Sequence, residues 1–156
     1  MTTQTIINEI RTHLQENIED VNPERTGSTN WVYTIPINFD VAQYPRIHIE
    51  QFSETDSSES LNSTKREIDT LVQVTVFNHV DGIFDIDGDG ERERSNHVLS
   101  WLVDRVRTEV NDNQTKWREL EDCSVYHVLS TGSEPHNSGR NDVIAKRLTI
   151  QIKRRH

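Results

Sequence analysis

Residues 65–78, KREIDTLVQVTVFN, form the most strand-like stretch of the 156-residue chain and predict the centre of its fold. Aliphatic side chains, with one threonine among them, recur at every second position: Ile68, Thr70, Val72, Val74 and Val76. This period of two predicts a β-strand with one buried face. Because Leu71 and Phe77 add apolar side chains to the other face, we expect the strand to lie inside a sheet and not at its margin.

Length and composition favour one domain with a core of ordinary size. The chain has 156 residues, of which 32% are hydrophobic, and we interpret residues 1–156 as a single domain. No apolar run reaches the roughly 18 residues that a membrane helix needs. The opening MTTQTIINEI lacks the basic and then apolar order of a signal peptide. The sequence therefore predicts a soluble protein that has no membrane partner and is not exported by that route.

The charge balance limits the classes of molecule that the protein is expected to bind. The chain carries 26 carboxylates against 17 basic residues, a net charge of −9, whereas a general duplex-DNA binder needs clustered Lys and Arg. We therefore expect basic partners or none. Only four of the basic residues are lysine, and acidic, lysine-poor surfaces are typical of proteins from salt-loving organisms. The sequence is interpreted as halophilic, with an acidic mesophilic protein as the alternative.

A helix and an extended arm precede the strand-like stretch. Apolar residues at helical spacing predict an amphipathic helix from Thr5 to Ile18. Residues 31–39 alternate between apolar and polar side chains, but Pro36 removes a backbone donor, which favours an edge strand or an extended arm. Such an arm covers the protein's own sheet or lies on a neighbouring subunit. The candidate subunit-interface residues are Trp31, Tyr33, Ile35, Ile37 and Phe39.

The remaining pattern completes an α+β fold. We expect an antiparallel sheet of about four strands, packed by a long amphipathic helix and preceded by an N-terminal helix. The polar stretch 53–64 is predicted to be a mobile loop, either a solvated hairpin connection or a segment that becomes ordered on assembly. The stretch 130–141, which contains two glycines and a proline, is predicted to be a second loop. The other predicted elements are a strand at 46–52, the long helix at 95–110, and strands at 123–129 and 143–153.

One motif, Asp85 to Gly90, has the residue types of a metal-binding loop. Its three aspartates at alternate positions, followed by glycine, match the first half of an EF-hand-type calcium loop. The second half does not match, because the position of the bidentate glutamate is taken by Asn96. The alternative is an acidic, glycine-rich turn that leads into a helix, whose N-terminus favours negative charge. The candidate ligands for Ca²⁺ or Mg²⁺ are Asp85, Asp87 and Asp89.

Catalytic motifs are missing from the sequence. It contains no glycine-rich phosphate loop, no Gly-x-Ser-x-Gly elbow and no His-Glu-x-x-His pair, and its seven histidines are dispersed. The single cysteine, Cys123, excludes an internal disulfide and a multi-cysteine metal site. We therefore assign no catalytic residues, expect no cofactor other than the possible calcium ion, and predict that the protein is not an enzyme.

The order of these elements resembles that of the tail-terminator, or tail-completion, proteins of long-tailed double-stranded DNA viruses. Those proteins have an N-terminal helix and a variable stretch that ends in a proline before a strand, here Tyr44-Pro45. A long loop, a strand introduced by a basic and polar group (here Lys65 to Asp69), an amphipathic helix and two closing strands follow. The resemblance covers nearly the whole chain and rests on element order and hydrophobic pattern. The segments 85–90 and 130–141 depart from the compact pattern.

The resemblance implies a structural virion protein that forms a homohexameric ring at the head-proximal end of the tail tube. Such a ring stops tube growth and joins the tail to the head connector, so its expected partners are its own copies, the tail tube protein and head-tail connector proteins. DNA is expected to pass without specific binding, since carboxylates repel phosphate. The expected location is the tail or neck of the virion, after assembly in the host cytoplasm. The alternatives are another neck or minor tail protein with the same fold and an acidic calcium-binding interaction domain.

Overall fold

The computed structural model of the chain describes residues 3–27, 29–34, 43–58, 66–120 and 125–155. Within these ranges the chain forms three helices and six strands. None of the helices described is both long and apolar enough to cross a membrane. In chain order the elements are α1 (Thr3–Asn17), β1 (Val32–Tyr33), β2 (Arg46–Ser58), β3 (Arg66–His79), α2 (Ser95–Asn111), α3 (Gln114–Arg118), β4 (Val125–Ser130), β5 (Glu134–His136) and β6 (Val143–Arg155).

The six strands of the described residues form one mixed sheet. Its order is β1-β2-β3-β6-β4, and β5 also pairs with β6. β1 runs parallel to β2, whereas the other pairs are antiparallel. The predicted α+β class is confirmed, but the predicted antiparallel sheet of about four strands is only part of the observed sheet, namely β2, β3, β6 and β4. The two additional strands have two and three residues, which is too short to give a recognisable period.

The strand predicted to be central, β3, lies between β2 and β6. It pairs with β2 from Arg66 to Phe77 and with β6 from Glu67 to His79, which is nearly its whole length on both edges. Three valines on its inward face are fully buried: Val72, Val74 and Val76. The interior position predicted from apolar side chains on both faces is therefore confirmed.

The loop predicted at 53–64 is corrected by the structure. β2 continues through this polar stretch to Ser58, which pairs with Arg66 of β3. Backbone pairing with a long partner strand outweighs the polar composition, and a register shift between Gln51 and Ser53 accommodates the extra residue, Phe52. Residues 59–65 of the predicted loop lie outside the described part of the chain.

The end of the sheet formed by β5 and β6 also differs from the prediction. The predicted loop at 130–141 contains β5, whose residues pair with 145–147 of β6. β6 continues beyond the predicted Lys153 to Arg155, because Arg155 pairs with Glu67 of β3. The basic end of the sequence therefore belongs to the sheet up to that residue.

The helices and one face of the sheet enclose the main core. The apolar stripes predicted from helical spacing in α1 and α2 are confirmed, since their members have at most 3% of their surface exposed. α3 adds Trp117, whose fully buried ring donates from Nε1 to the carbonyl oxygen of Val110 at 2.8 Å. Burial stabilises the fold by about 1.5–3 kcal/mol for each such large side chain. The helical members of the core are Ile6, Ile7, Ile10, Leu14, Val98, Leu99, Leu102, Val103, Val106, Val110 and Trp117.

Candidate functional site

A groove of about 1230 Å³ lies at the end of the sheet where β3 ends, at His79. Four parts of the chain contribute its walls: the segment 17–24 after α1, Gln43 and Tyr44 before β2, the connection 79–92 between β3 and α2, and two side chains of α2, Trp101 and Arg105. We call this feature the end groove. Its volume exceeds the roughly 300–1,000 Å³ of a typical small-molecule pocket, so it has room for an extended ligand.

Apolar side chains form the floor of the end groove. Val21, Phe84, Ile86 and Trp101 line it and also pack, partly buried, against the main core. Ile83 lines the groove as well and leaves 45% of its surface exposed to solvent. The floor is therefore an apolar surface, supported by the main core, that a ligand can contact.

The first wall, after α1, is held against the start of β2. Arg25 forms an ion pair with Asp20 and donates from Nη2 to the carbonyl oxygen of Pro45 at 2.6 Å. Asn22 donates from Nδ2 to the carbonyl oxygen of Tyr44 at 2.7 Å. Since the Arg25 side chain is only 5% exposed, its ion pair is less screened by water than a surface pair. These contacts fix the wall before any ligand arrives.

The second wall, between β3 and α2, is tied together by Asn78. Its buried side-chain amide donates to the carbonyl oxygens of Gly82 at 2.9 Å and of Ser95 at 3.1 Å. A Cβ at position 82 would lie 2.1 Å from the Oδ1 atom of Asn78, so this close approach requires glycine. An antiparallel bridge between Phe84 and Glu93 then closes the connection on itself.

The acidic motif forms a tight turn on the rim of the end groove. The Asp85 carboxylate accepts hydrogen bonds from the backbone N–H groups of Asp87 at 3.1 Å, Gly88 at 2.9 Å and Gly90 at 2.9 Å. The bond from the Gly90 N–H is the main cause that lowers the pKa of Asp85 below its ordinary value. Gly88 and Gly90 have φ values of 73° and 85°, a left-handed region that favours glycine.

The three predicted metal ligands are Asp85, Asp87 and Asp89. Asp85 and Asp87 both line the end groove, but the Asp85 carboxylate is bound by the backbone of its own turn, and Asp89 accepts a hydrogen bond from the Glu91 N–H at 2.8 Å. In the part of the chain that the structure describes, no three His, Cys, Asp or Glu side chains gather in a way that could hold a metal ion. The geometry matches the alternative of an acidic turn, and metal binding stays a prediction.

The predicted subunit-interface residues are also separated. Trp31 is 1% exposed and belongs to the protein's own core, and its backbone N–H donates to Gln15 Oε1 at 3.0 Å. Of the two predicted locations for the arm, Trp31 therefore occupies the one on its own sheet, and it has almost no surface left for a neighbour. Tyr33 is half-buried in β1. Ile35, Ile37 and Phe39 lie outside the described residues, and for them the prediction stands untested.

The lining of the end groove is predominantly acidic. Six carboxylates and two arginines line it among the described residues, and one of these arginines, Arg105, is paired with Glu109 at 2.7 Å. Such a lining attracts cationic groups and repels anions such as phosphate. The acidic lining residues are Glu19, Asp20, Glu24, Asp81, Asp85 and Asp87.

Sequence reasoning did not find the end groove, because its walls come from segments that are far apart in the chain. The one local signal was Trp101, a large aromatic residue beside the apolar stripe of α2 and outside it. A second signal is the density of carboxylates at 81–93, for which the sequence suggests a calcium site or an acidic turn before a helix but no groove. Neither signal contains the information that these segments meet.

The opposite face of the sheet has an aromatic and histidine cluster. The ring of His48 in β2 lies 4.9 Å from that of Phe77 in β3 and 6.0 Å from that of Tyr33 in β1. Burial, and secondarily the neighbouring Arg46 guanidinium, lowers the pKa of His48 to about 4. His48 is therefore a neutral part of this surface at ordinary pH.

Comparison with known proteins adds no family. Neither a scan of the sequence against protein-family models nor a search of curated proteins found a match.

Proposed function

We propose that this chain is a structural virion protein that caps the head-proximal end of a viral tail tube and joins the tail to the head connector. The observation that carries the proposal is the order of its principal elements, α1, β2, β3, α2, β4 and β6. β2 follows Tyr44-Pro45 directly, and β2 and β3 form one long hairpin. This is the element order on which the resemblance to tail-terminator proteins rests.

In this proposal, identical copies form a homohexameric ring through heterologous contacts, in which different surfaces of neighbouring copies meet. Residues 35–39, which follow β1, and residues 59–65, which join β2 to β3, contribute to these contacts. Residues 35–39 carry apolar side chains, whose exposure to water is unfavourable. Residues 59–65 are mostly polar and are poorly suited to form a core of their own. The ring contacts the tail tube protein on one side and head-tail connector proteins on the other.

The charge of the protein supports the same role. With a net charge of −9, a ring repels DNA phosphates, so that the genome can pass without being held. The lysine-poor acidic surface also supports a halophilic host, in which the ring is assembled in the cytoplasm and then retained in the tail or neck of the virion.

Electron microscopy of the purified protein tests the proposal. We expect six-fold rings in negatively stained images, and light scattering after size exclusion should give a mass near six times the 18.2 kDa of one chain. Samples in low and in molar potassium chloride are compared, because repulsion between acidic copies is screened by salt. A compact monomer in both conditions, also in the presence of purified tail tubes, contradicts the proposal.

The hairpin connection is tested by shortening it. Since Ser58 pairs with Arg66, replacing residues 59–65 by Asn-Gly closes the hairpin with a favoured two-residue turn. We expect this variant to keep its circular dichroism spectrum and to lose the ring. As a matched control, the exposed Gly132 is changed to serine, which should preserve both. An intact ring in the shortened variant removes this segment from the interface.

A second candidate function rests on the sequence of 85–90, which matches the first half of a calcium loop. A calcium-binding interaction domain is expected to be monomeric and to respond to metal, whereas a tail terminator assembles without it. Another neck or minor tail protein with the same fold is distinguished by its position, which gold-labelled antibodies on intact particles reveal.

A further inference from the structure

We propose that the end groove binds an extended basic segment of a partner protein that also carries one large apolar side chain. This inference goes beyond the proposed role in the viral tail, since it rests on the groove and not on the ring. Its three grounds are the exposed apolar surface, the charge of the lining and the rigidity of the walls.

The first ground is exposed apolar surface at one end of the molecule. Among the described residues, Ile83 is a large hydrophobic residue that leaves 45% of its surface exposed, and it lines the end groove. Phe84 and Trp101 line the same groove and are partly buried. One aliphatic or aromatic side chain of a ligand is therefore expected to pack there.

The second ground is charge complementarity. Glu19, Glu24 and Asp87 line the end groove, and no hydrogen bond or ion pair joins their carboxylates to another described residue. They differ in this from Asp20, which pairs with Arg25, and from Asp85, which binds its own turn. Carboxylates that have no partner among the described residues, together with the apolar lining, favour a ligand with both cationic and apolar groups. A polyamine lacks the apolar group, and a nucleic acid has the wrong charge.

The third ground is that the walls are formed before binding. The Asn78 amide holds the second wall, and Asn22 and Arg25 hold the first, each through hydrogen bonds to backbone carbonyl groups. Because little of the site has to be ordered by the ligand, less binding free energy is lost on association. The volume of about 1230 Å³ fits several residues of an extended chain better than a single side chain.

Peptide binding to the full chain tests the inference. The probe is a short capped peptide of arginines around a central leucine, compared with the same peptide carrying serine in place of leucine. Trp31 and Trp117 are buried, so a change in tryptophan fluorescence reports mainly on Trp101, and Trp101→Phe should abolish the signal. Calorimetry gives the affinity independently. We expect the leucine peptide to bind more tightly than the serine peptide and its affinity to fall as salt is added.

Charge reversal locates the site. The triple variant Glu19→Lys, Glu24→Lys and Asp87→Lys should weaken binding about tenfold or more, since three partly exposed ion pairs are lost. The matched control reverses three exposed carboxylates outside the groove: Asp112→Lys, Glu119→Lys and Glu134→Lys. It should change the affinity less than about threefold. If the triple variant fails to fold, the single variant Glu24→Lys, at an exposed position, replaces it.

Three results overturn the inference: equal losses in the two triple variants, equal affinity for the leucine and serine peptides, or no response of Trp101. The oligomeric state is recorded in the same samples by light scattering. A monomer that binds the peptide in the groove contradicts the proposed ring and leaves this inference standing. A ring that does not bind the peptide supports the proposed role in the tail and contradicts this inference.

Discussion

His48 illustrates how a single side chain can acquire its properties from the surrounding sheet. In the sequence it is a polar residue of the strand predicted at 46–52. In the structure it lies on the face opposite the helices, where the rings of Tyr33 and Phe77 flank it. The resulting loss of water, more than the nearby Arg46 charge, lowers its pKa to about 4.

We predict that His48 makes the protein less stable in acid. Its pKa of about 4 in the folded protein lies below the ordinary value of 6.5, so the unfolded chain binds more protons between these pH values. Its contribution is therefore fully present above about pH 6.5 and is lost as the pH falls towards 4. For a partly exposed ring we expect a loss of about 1–2 kcal/mol. Denaturant unfolding of the wild type and of His48→Gln over this pH range measures the difference in slope.

The exposed His97 of α2 provides the control for this measurement. His97→Gln should leave most of the acid-dependent loss in place, because its ring is not enclosed by the sheet. If His48→Gln and the wild type lose stability in parallel, the proposed burial of the His48 ring is wrong.

At the level of helices and strands, a polar network holds the three helices together. His13 of α1, which is 4% exposed, lies between Glu109 of α2 and Lys116 of α3. The Lys116 ammonium can only donate, so Nδ1 of His13 accepts from it at 2.8 Å and Nε2–H donates to Glu109 at 2.9 Å. The helical spacing of α1 contains no information about these two partners, which come from α2 and α3.

We predict that Glu109→Ala lowers the free energy of unfolding by about 1–3 kcal/mol, because it leaves the buried His13 N–H without its acceptor. Glu119→Ala, at an exposed position shortly after α3, is the matched control and should change it by less than about 0.5 kcal/mol. Urea denaturation of both variants measures the effect. Equal stability of the two variants would show that the network does not hold the helices.

The turn at 85–90 allows a direct test of the metal prediction. If the turn binds calcium, a calorimetric titration should release or absorb heat, and the variant Asp87→Asn should lose that heat. An acidic turn without a metal site should show no heat in either protein. In both cases Asp85→Ala should lower the thermal midpoint, since three backbone N–H groups lose their acceptor. Asp89→Ala removes one such acceptor and should have a smaller effect. Absence of heat at millimolar calcium rules out the metal site.

Taken as a whole, the molecule has a net charge of −9 that is concentrated in part around the end groove. Self-repulsion of this kind destabilises the compact state and is screened by salt. We therefore predict that the thermal midpoint rises by several degrees between about 0.1 M and about 1 M potassium chloride, as the Debye length falls from about 10 Å to about 3 Å. Thermal unfolding followed by circular dichroism measures it.

The variant Asp112→Lys, Glu119→Lys and Glu134→Lys serves as the control for the salt effect. Each substitution replaces a negative charge by a positive one, so the variant should need less salt to reach its maximal midpoint. A wild-type midpoint that is independent of salt argues against both the self-repulsion and the halophilic interpretation.

The α+β class, the two long helices, the central strand and the inward faces could be predicted from local patterns, because the period of apolar residues depends on neighbours in the chain. The extent of β2 could not, since its polar half is a strand only through pairing with β3. The burial of Trp31 and the end groove also depend on segments that meet only in the folded chain. Contacts between distant segments are set by packing of the whole, and no local period carries that information.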